Sequence, residues 1–266
     1  MPHQLVSRCS TPLPNFEAKE LFFFCEQVFF SACSNHGSWS AQVNPLLDAW
    51  LDPVFDEGER VGRSMALWCT IRTFAKHAAE LGNEQPVTPV FFVKPNNCIQ
   101  RHGSIAVSQH PGEVHHEVEC VVRLNQHAQP EAIAVGLDLT DRLTQGELRS
   151  EQLPWAKGKC FRASAYVGGF VDWSDSFESL VDVSNGLKLN LWVNDALVQS
   201  AFLSEMTISP SSQMEELLTW APVHAGDYLF TGTPSGVGQL HPGDSLKATL
   251  ESQDGGVLSS IEAQCN

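Results

Sequence analysis

Positive charge is what this chain has least of. Its 266 residues hold 16 Lys plus Arg against 31 Asp plus Glu, a formal net charge of −15. Charged residues make up only 18% of the total, below the roughly 25% usual in globular proteins, so the imbalance is a shortage of bases more than a surplus of acids. A surface of that sign repels phosphate backbones and anionic lipid, which argues against nucleic acid and membrane partners. No C-x-x-C pair occurs among the eight cysteines, and dispersed cysteines in a chain of this length fit a reducing compartment better than a disulfide framework. Long apolar runs are missing as well: the most apolar stretch, Leu21 to Cys33, carries Glu26 and is shorter than the ~20 residues that cross a bilayer. Neither a basic start nor a cleavage site marks the N-terminus, so a cytoplasmic protein is expected. A hydrophobic fraction of 42% excludes global disorder, and the length suffices for a core without disulfides.

Residues 1–60 carry no motif and read as an N-terminal extension of unknown role. Residues 61–266 read as one mainly β (α+β) domain, because short apolar runs alternate with Gly, Pro and Asp punctuation. TIRTFAKHAAEL predicts a short helix over Thr70–Leu81, stopped by Gly82-Asn83. VTPVFFVKP, the run Val114–Leu124, Ile133–Leu139, SAYVGGFV, KLNLWVNDALVQ, DYLFTGTP and SLKATLES are strand candidates, and a helix follows Leu139. NGL, ND, AGD, PSG and PGD supply turns.

Three carboxylates carry the first chemical signal. Glu117 and Glu119, two apart in a strand candidate, share a face. On a partly buried face they repel, so one takes a proton or a cation sits between them. Asp138, at the end of the next strand candidate, adds a third oxygen donor, and three carboxylates without a cysteine suit Mg²⁺ or Mn²⁺. In isolation, the commoner meaning of an E-x-E strand is a solvated face.

His77 and Glu80 lie three apart on the predicted helix and hence on one face. A carboxylate that orients an imidazole makes a general base, although such a pair alone is more often a plain surface contact. His115-His116 with Cys120 raises zinc, but neighbouring strand residues face opposite sides and no second pair is suitably spaced. TGTPSGVG (Thr231–Gly238) lacks the Lys-Ser/Thr ending of a phosphate-binding loop. It reads as a loop that turns N–H groups and hydroxyls toward an anionic substrate, or as a plain turn. Lys159 stands out in so Lys-poor a chain and meets a carboxylate or oxyanion, or is merely a surface charge.

Taken together, FAKHAAELGN, PVFFVKP, HHEVEC, LDLTDRLTQ, LPWAKGKCF, LWVNDALVQ and AGDYLFTGTPSGVG, in this order over residues 70–260, resemble the fumarylacetoacetate hydrolase family and its acylpyruvate hydrolase branch. The resemblance implies a mixed β-sandwich or roll with a short lid helix, assembled as a homodimer. It implies Glu117, Glu119 and Asp138 as ligands of Mg²⁺ or Mn²⁺, and His77 with Glu80 as the catalytic dyad. Lys159 matches the active-site lysine, while Arg142, Gln145 and Thr233 match substrate-binding residues. The implied activity is metal-dependent cleavage of the carbon–carbon bond of an acylpyruvate, a small anionic 2-oxo acid such as fumarylpyruvate or acetylpyruvate, to pyruvate and a carboxylic acid. Oxaloacetate decarboxylation, isomerisation of a related 2-oxo acid, or metabolite binding without catalysis are the alternatives. Only eighteen residues separate Glu119 from Asp138, fewer than is usual in the family, so a strand or hairpin that helps deliver the aspartate is expected to be missing.

Overall fold

The computed structural model describes residues 65–266 apart from Gln109. The expected extension over residues 1–60 therefore lies outside the described residues.

Fifteen strands, five short α-helices and two single-turn 3-10 helices follow one another within that span. The first strand, β1 (Ala66–Ile71), leads through a turn into α1 (Ala75–Glu80) and then β2 (Val90–Pro95). After β3 (Ile99–Gln100) and β4 (Val114–His116) come β5 (Val118–Leu124), β6 (Pro130–Asp138) and β7 (Thr140–Asp141). Helices α2 (Arg142–Ser150) and α3 (Ala156–Lys159) precede β8 (Ala165–Val167), β9 (Val171–Asp172) and α4 (Phe177–Leu180). The hairpin β10 (Lys188–Val193) and β11 (Ala196–Phe202) is followed by α5 (Pro210–Leu217) and β12 (Tyr228–Phe230). The short β13 (Gly238–Gln239) and the long pair β14 (Ser245–Glu251) and β15 (Val257–Gln264) complete the fold.

An eight-stranded sheet in the order β2-β1-β12-β5-β6-β8-β3, with β9 added on β6, packs against a four-stranded sheet β11-β10-β14-β15. A third sheet, β13-β4-β7, is small. The larger sheet is mixed: β1 pairs β12 parallel and β5 pairs β6 antiparallel. This is the mixed β-sandwich or roll that the resemblance implied.

Alternation along β5 and β6 decides what goes where. Val118, Cys120, Val122, Ile133, Val135 and Leu137 join the main core, with Leu189, Leu191, Ala248, Leu250 and Ile261 of the second sheet. The opposite face carries Val121 and Ala134 into a smaller cluster with Leu67, Cys69 and Phe230, and the same face carries Glu119 and Asp138. Both sides of these central strands are thus buried. The runs read as almost continuously apolar for that reason, and a carboxylate within them cannot be solvated.

Several expectations change in detail. The helix predicted over Thr70–Leu81 spans only Ala75–Glu80, because Thr70 and Ile71 are the last residues of β1 and pair with Phe91 and Val90. The strand expected over Val114–Leu124 breaks at Glu117 into β4 and β5. The spacing before Asp138 removes nothing that the aspartate needs. β5 and β6 form a direct hairpin whose turn is closed by the Asn125 carboxamide, which accepts the N–H groups of His127 and Gln129 at 2.8 and 3.1 Å. In β10–β11, Asn194 and Asp195 both take positive φ, 49° and 65°, the geometry of the tightest hairpin turn and one that Asn and Asp tolerate. Among elements not anticipated, α5 carries a plain signal: Ser209 caps it by accepting the Ser212 N–H, and Pro210 opens it.

Candidate active site

Glu117, Glu119 and Asp138 converge, with one carboxylate oxygen of each within 4.8 Å of the others. Glu119 lies inside β5, Asp138 ends β6, and Glu117 occupies the break between β4 and β5. That break is held by a residue the sequence reading did not single out. The buried carboxamide of Gln199, in β11, accepts the Val118 N–H at 3.1 Å and engages His116 Nδ1 at 3.0 Å. It donates in turn to Thr233 Oγ1 at 2.9 Å and to the Pro234 carbonyl at 2.8 Å. One side chain from the second sheet therefore ties the kinked strand to the Thr231–Gly238 loop.

The three carboxylates differ in surroundings. Glu117 accepts from Lys159 Nζ at 2.9 Å and from the Arg142 guanidinium. Burial alone would raise its proton affinity, but the Lys159 and Arg142 charges outweigh burial and hold it well below the usual carboxylate range. Asp138 Oδ2 accepts from Lys159 at 2.6 Å. Its Oδ1 lies 2.6 Å from Lys94 Nζ, yet the approach is oblique and this buried oxygen has no aligned donor. Among the described residues Glu119 has only the Gly232 N–H, at 2.7 Å. Burial, then the charges of Asp138 and Glu117, push its carboxyl well above the usual range. A buried acidic centre with one oxygen lacking an aligned donor and one carboxyl driven toward protonation fits a divalent cation, and the all-oxygen donor set suits Mg²⁺ or Mn²⁺ over zinc. Among the described residues this is the one cluster of His, Cys, Asp or Glu that converges in this way, and His116 is committed to Gln199.

Lys159 ends α3, nearly inaccessible to solvent, and its ammonium also donates to Thr140 Oγ1 at 2.6 Å. Burial alone would lower its pKa, but Asp138 and Glu117 raise it above the ordinary lysine value, so it is a fixed cation. Lys94 of β2 is fully buried and donates to the carbonyls of Leu139 and Ser164 beside Asp138. A lysine inside the apolar run VFFVKP of a Lys-poor chain is the signal that would have found it.

His77 sits on the buried side of α1, its Nδ1 3.4 Å from Glu80 Oε2. Burial lowers its pKa below the ordinary value against the opposing pull of Glu117 and Glu80, so the ring is neutral at pH 7 and able to take a proton. Glu80 also accepts the Gly236 N–H, at 3.0 and 3.2 Å, which fastens α1 to the Thr231–Gly238 loop. That loop behaves differently from the expectation that it turns N–H groups toward a substrate. The N–H groups of Gly232 and Gly236 go to the chain's own Glu119 and Glu80, because unpaired carboxylates so near would otherwise lack donors. Gly232 is obligatory here: its φ is +96°, and a Cβ would stand 2.1 Å from Thr73 Oγ1. Thr233 lines the cavity.

Arg142 and Gln145 occupy the first turns of α2, whose N-terminus is capped by Asp141, accepting the Thr144 N–H at 3.0 Å. His110 steadies that cap at 2.7 Å. Arg142 donates to Gln145 Oε1 at 2.7 Å, while its buried Nε has no partner among the described residues. Gly158 lets α3 press against α2, since a Cβ would lie 3.0 Å from the Gln145 backbone. The cavity bounded by these groups also has Thr70, Arg72, Asn83, Arg149 and Trp155 on its wall. Eight of the nine expected site residues thus line one cavity, and Glu80 joins it through His77; Arg72 and Arg149 lie on the same wall, while Lys94 and Gln199 sit behind the acidic centre.

A curled β-domain with a buried Glu/Glu/Asp centre and a histidine-bearing helix beside it defines the class of protein. Residues 66–261 match the family described as Fumarylacetoacetate (FAA) hydrolase C-terminal, and the chain belongs to that family of enzymes. It is 35% identical over 195 residues to the oxaloacetate tautomerase FAHD2, mitochondrial, of Oryza sativa subsp. japonica, covering 67% of this chain and 83% of the relative. To the oxaloacetate tautomerase YcgM of Escherichia coli (strain K12) it is 33% identical, covering 69% and 87%. The fumarylpyruvate hydrolase of Pseudomonas aeruginosa, solved with Mn²⁺ and pyruvate, shares the fold at a TM-score of 0.65 and 23% identity, covering 81% of this chain and all of that one. No helix among the described residues is long and apolar enough to cross a membrane.

Proposed function

We propose that this protein is a divalent-metal-dependent enzyme that cleaves the carbon–carbon bond of an acylpyruvate, giving pyruvate and a carboxylic acid. The observation that carries this reading is the buried, neutral His77, oriented by Glu80, beside the three-carboxylate centre. Glu117, Glu119 and Asp138 would hold the ion, as the Mn²⁺- and pyruvate-bound fold relative suggests. When bound, the ion supplies Lewis-acid polarisation of the 2-oxo group.

Everything else falls to the chain's own residues. Arg142 and Gln145 orient the pyruvate end of the substrate, and Thr233 closes the wall beside it. His77 takes a proton from a water whose oxygen attacks the distal acyl carbon, with Glu80 stabilising the resulting imidazolium. The bond between that carbon and C3 breaks, and its electron pair stays on the pyruvate fragment as an enolate. Lys159 offsets the negative charge that develops, and the proton held by His77 passes to C3.

Oxaloacetate tautomerisation is a second reading, favoured by the names of the rice and Escherichia coli relatives. It uses the same base for a simpler task, moving a proton between C3 and the enol oxygen without attack by water. Decarboxylation of oxaloacetate needs no activated water either. Pyruvate release from acetylpyruvate and fumarylpyruvate, measured beside enol-to-keto conversion and decarboxylation of oxaloacetate with Mn²⁺ present, separates the readings. Hydrolysis that is lost in His77→Ala and on EDTA treatment is expected. Absent hydrolysis with rapid His77-dependent conversion of oxaloacetate would replace the first reading by the second.

A further inference from the structure

Helix α2 carries Arg142 and Gln145, yet no apolar core holds it down: among the described residues, none of its nine is buried. Its place is set by polar anchors at the first turn. The Asp141 carboxylate accepts the Thr144 N–H at 3.0 Å, the Thr144 hydroxyl at 2.7 Å and the His110 Nε2–H at 2.7 Å. Burial alone would raise the proton affinity of Asp141, but the Thr144 and His110 donors outweigh it and hold the carboxyl below its ordinary range. Capping the helix needs the Thr144 N–H alone, so the contact with His110 exceeds what a cap requires.

His110 arrives on a strap that is itself fixed. Ile105 and Val107 belong to the main core, and the Ile105 N–H donates to the Gln264 carbonyl of β15 at 2.9 Å. The His110 N–H donates to the Val107 carbonyl at 3.2 Å. Beyond His110, Gly112 lies so near Asp141 that a Cβ would stand 2.0 Å from its Oδ2, and the Glu113 carbonyl accepts the Arg142 N–H at 2.9 Å. The strap therefore grips the backbone and the cap at the point where Arg142 enters α2.

The imidazole has a second contact. Its centroid lies 4.3 Å from that of Phe161, two residues past Lys159, and the Phe161 centroid lies 5.9 Å from Lys94 Nζ. One ring thus meets the anchor of α2 through its N–H and the segment after α3 through its π system. Glutamine would supply only the N–H, and phenylalanine only the ring. Neither His110 nor Asp141 lines the cavity, so an effect on a ligand passes through the groups that do.

We propose that His110, through Asp141, is a positioning residue that holds Arg142 and Gln145 in place for the carboxylate end of the substrate. This rests on the 2-oxo acid reading above, in which that end meets Arg142 and Gln145, and adds the pair that aligns them.

The test is calorimetric binding of oxalate to the Mn²⁺-loaded full-length protein. His110→Phe keeps the ring and loses the donor, and it is expected to weaken oxalate about tenfold. His110→Gln, whose amide N–H has the same reach, should restore affinity to within about twofold of the parent. Asp141→Ser still caps α2 but no longer meets His110, and it should match His110→Phe; if His110→Phe does not fold, Asp141→Ser takes its place below. In an Arg142→Gln background the loss due to His110→Phe should vanish, because the pair then has no arginine to align. In turnover of fumarylpyruvate or oxaloacetate, His110→Phe should raise KM about tenfold and change kcat less than twofold. Parental oxalate affinity in His110→Phe, or a loss that persists in full beside Arg142→Gln, overturns the positioning role while leaving the 2-oxo acid reading intact. Failure of the parent to bind oxalate with Mn²⁺ present overturns both.

Discussion

Glu119 is the residue on which the centre's energetics turn. It is buried beside two other carboxylates, and its single hydrogen bond among the described residues comes from the Gly232 N–H. A carboxyl whose folded-state pKa is raised stabilises the fold at low pH, and that contribution is lost as pH rises through the folded value. The metal-free protein should therefore lose stability as pH climbs toward neutrality, and thermal melts across pH will show it. Glu119→Gln keeps the acceptor for Gly232 and removes the charge. We expect it to stabilise the metal-free protein at pH 7 by about 1–2 kcal/mol and to abolish the rise in Tm that Mn²⁺ gives the parent. A variant that melts lower than the parent without metal would show that the buried charge is not a burden.

His77 works in the opposite sense. Its pKa is lowered by burial, so the neutral base persists to more acid pH than an ordinary histidine would allow. The acid limb of kcat/KM should fall below about pH 6.5. Glu80 is one of the groups that pull the His77 pKa upward, so Glu80→Gln should move the limb further to acid while reducing kcat. A limb that moves toward alkaline pH in this variant would contradict the assignment of His77 as the base.

At the scale of elements, the centre depends on loops and helices that donate to it. The Thr231–Gly238 loop sends Gly232 to Glu119 and Gly236 to Glu80, so it joins β5 to α1. In Gly232→Ala the new methyl would collide with Thr73 at a backbone angle open mainly to glycine. A loss of about 2–3 kcal/mol is expected, read as a fall in Tm of roughly 5–10 °C, with weaker Mn²⁺ binding because Glu119 loses its donor. A variant with parental stability and metal affinity would mean that the loop merely passes by. These partnerships were only partly legible beforehand. TGTPSGVG announced a glycine loop, but not that its N–H groups serve the protein's own acids. The helix expected from Thr70 begins five residues later, because its first residues are claimed by pairing with β2, which local propensity cannot foresee. Gln199 closes the LWVNDALVQ run that helps carry the resemblance, but nothing local assigned it a role: a polar residue in a strand reads as surface until the kink at Glu117 is folded against it.

For the molecule as a whole, the shortage of bases acquires a local meaning. Five of the 16 cations gather at one site, where Lys94, Lys159 and Arg142 attend the acidic centre and Arg72 and Arg149 line the cavity wall. Global charge described the partners a surface of this sign repels, and it was silent about the site. We extend the proposal to assembly as well. The homodimer implied by the resemblance predicts that sedimentation equilibrium returns twice the 29.2 kDa chain mass, and the chain mass alone would refute it.

By itself the sequence singled out the candidate side chains: spacing pointed to Glu117, Glu119, Asp138, His77 and Glu80, composition to Lys159, and the family resemblance alone to Arg142, Gln145 and Thr233. It also determined a β-rich domain, because short apolar runs between turn residues have few other ways to bury themselves. Only the tertiary structure decided that eight of these nine groups line one cavity with Glu80 joined through His77, that Glu119 is the carboxylate with a single donor among the described residues, and that Lys94 and Gln199 are held in place behind them. The physical reason is that hydrogen-bond partners and desolvation arise between strands and loops far apart in the chain. Spacing along the chain shows a residue's type and face, and packing alone sets what that face meets.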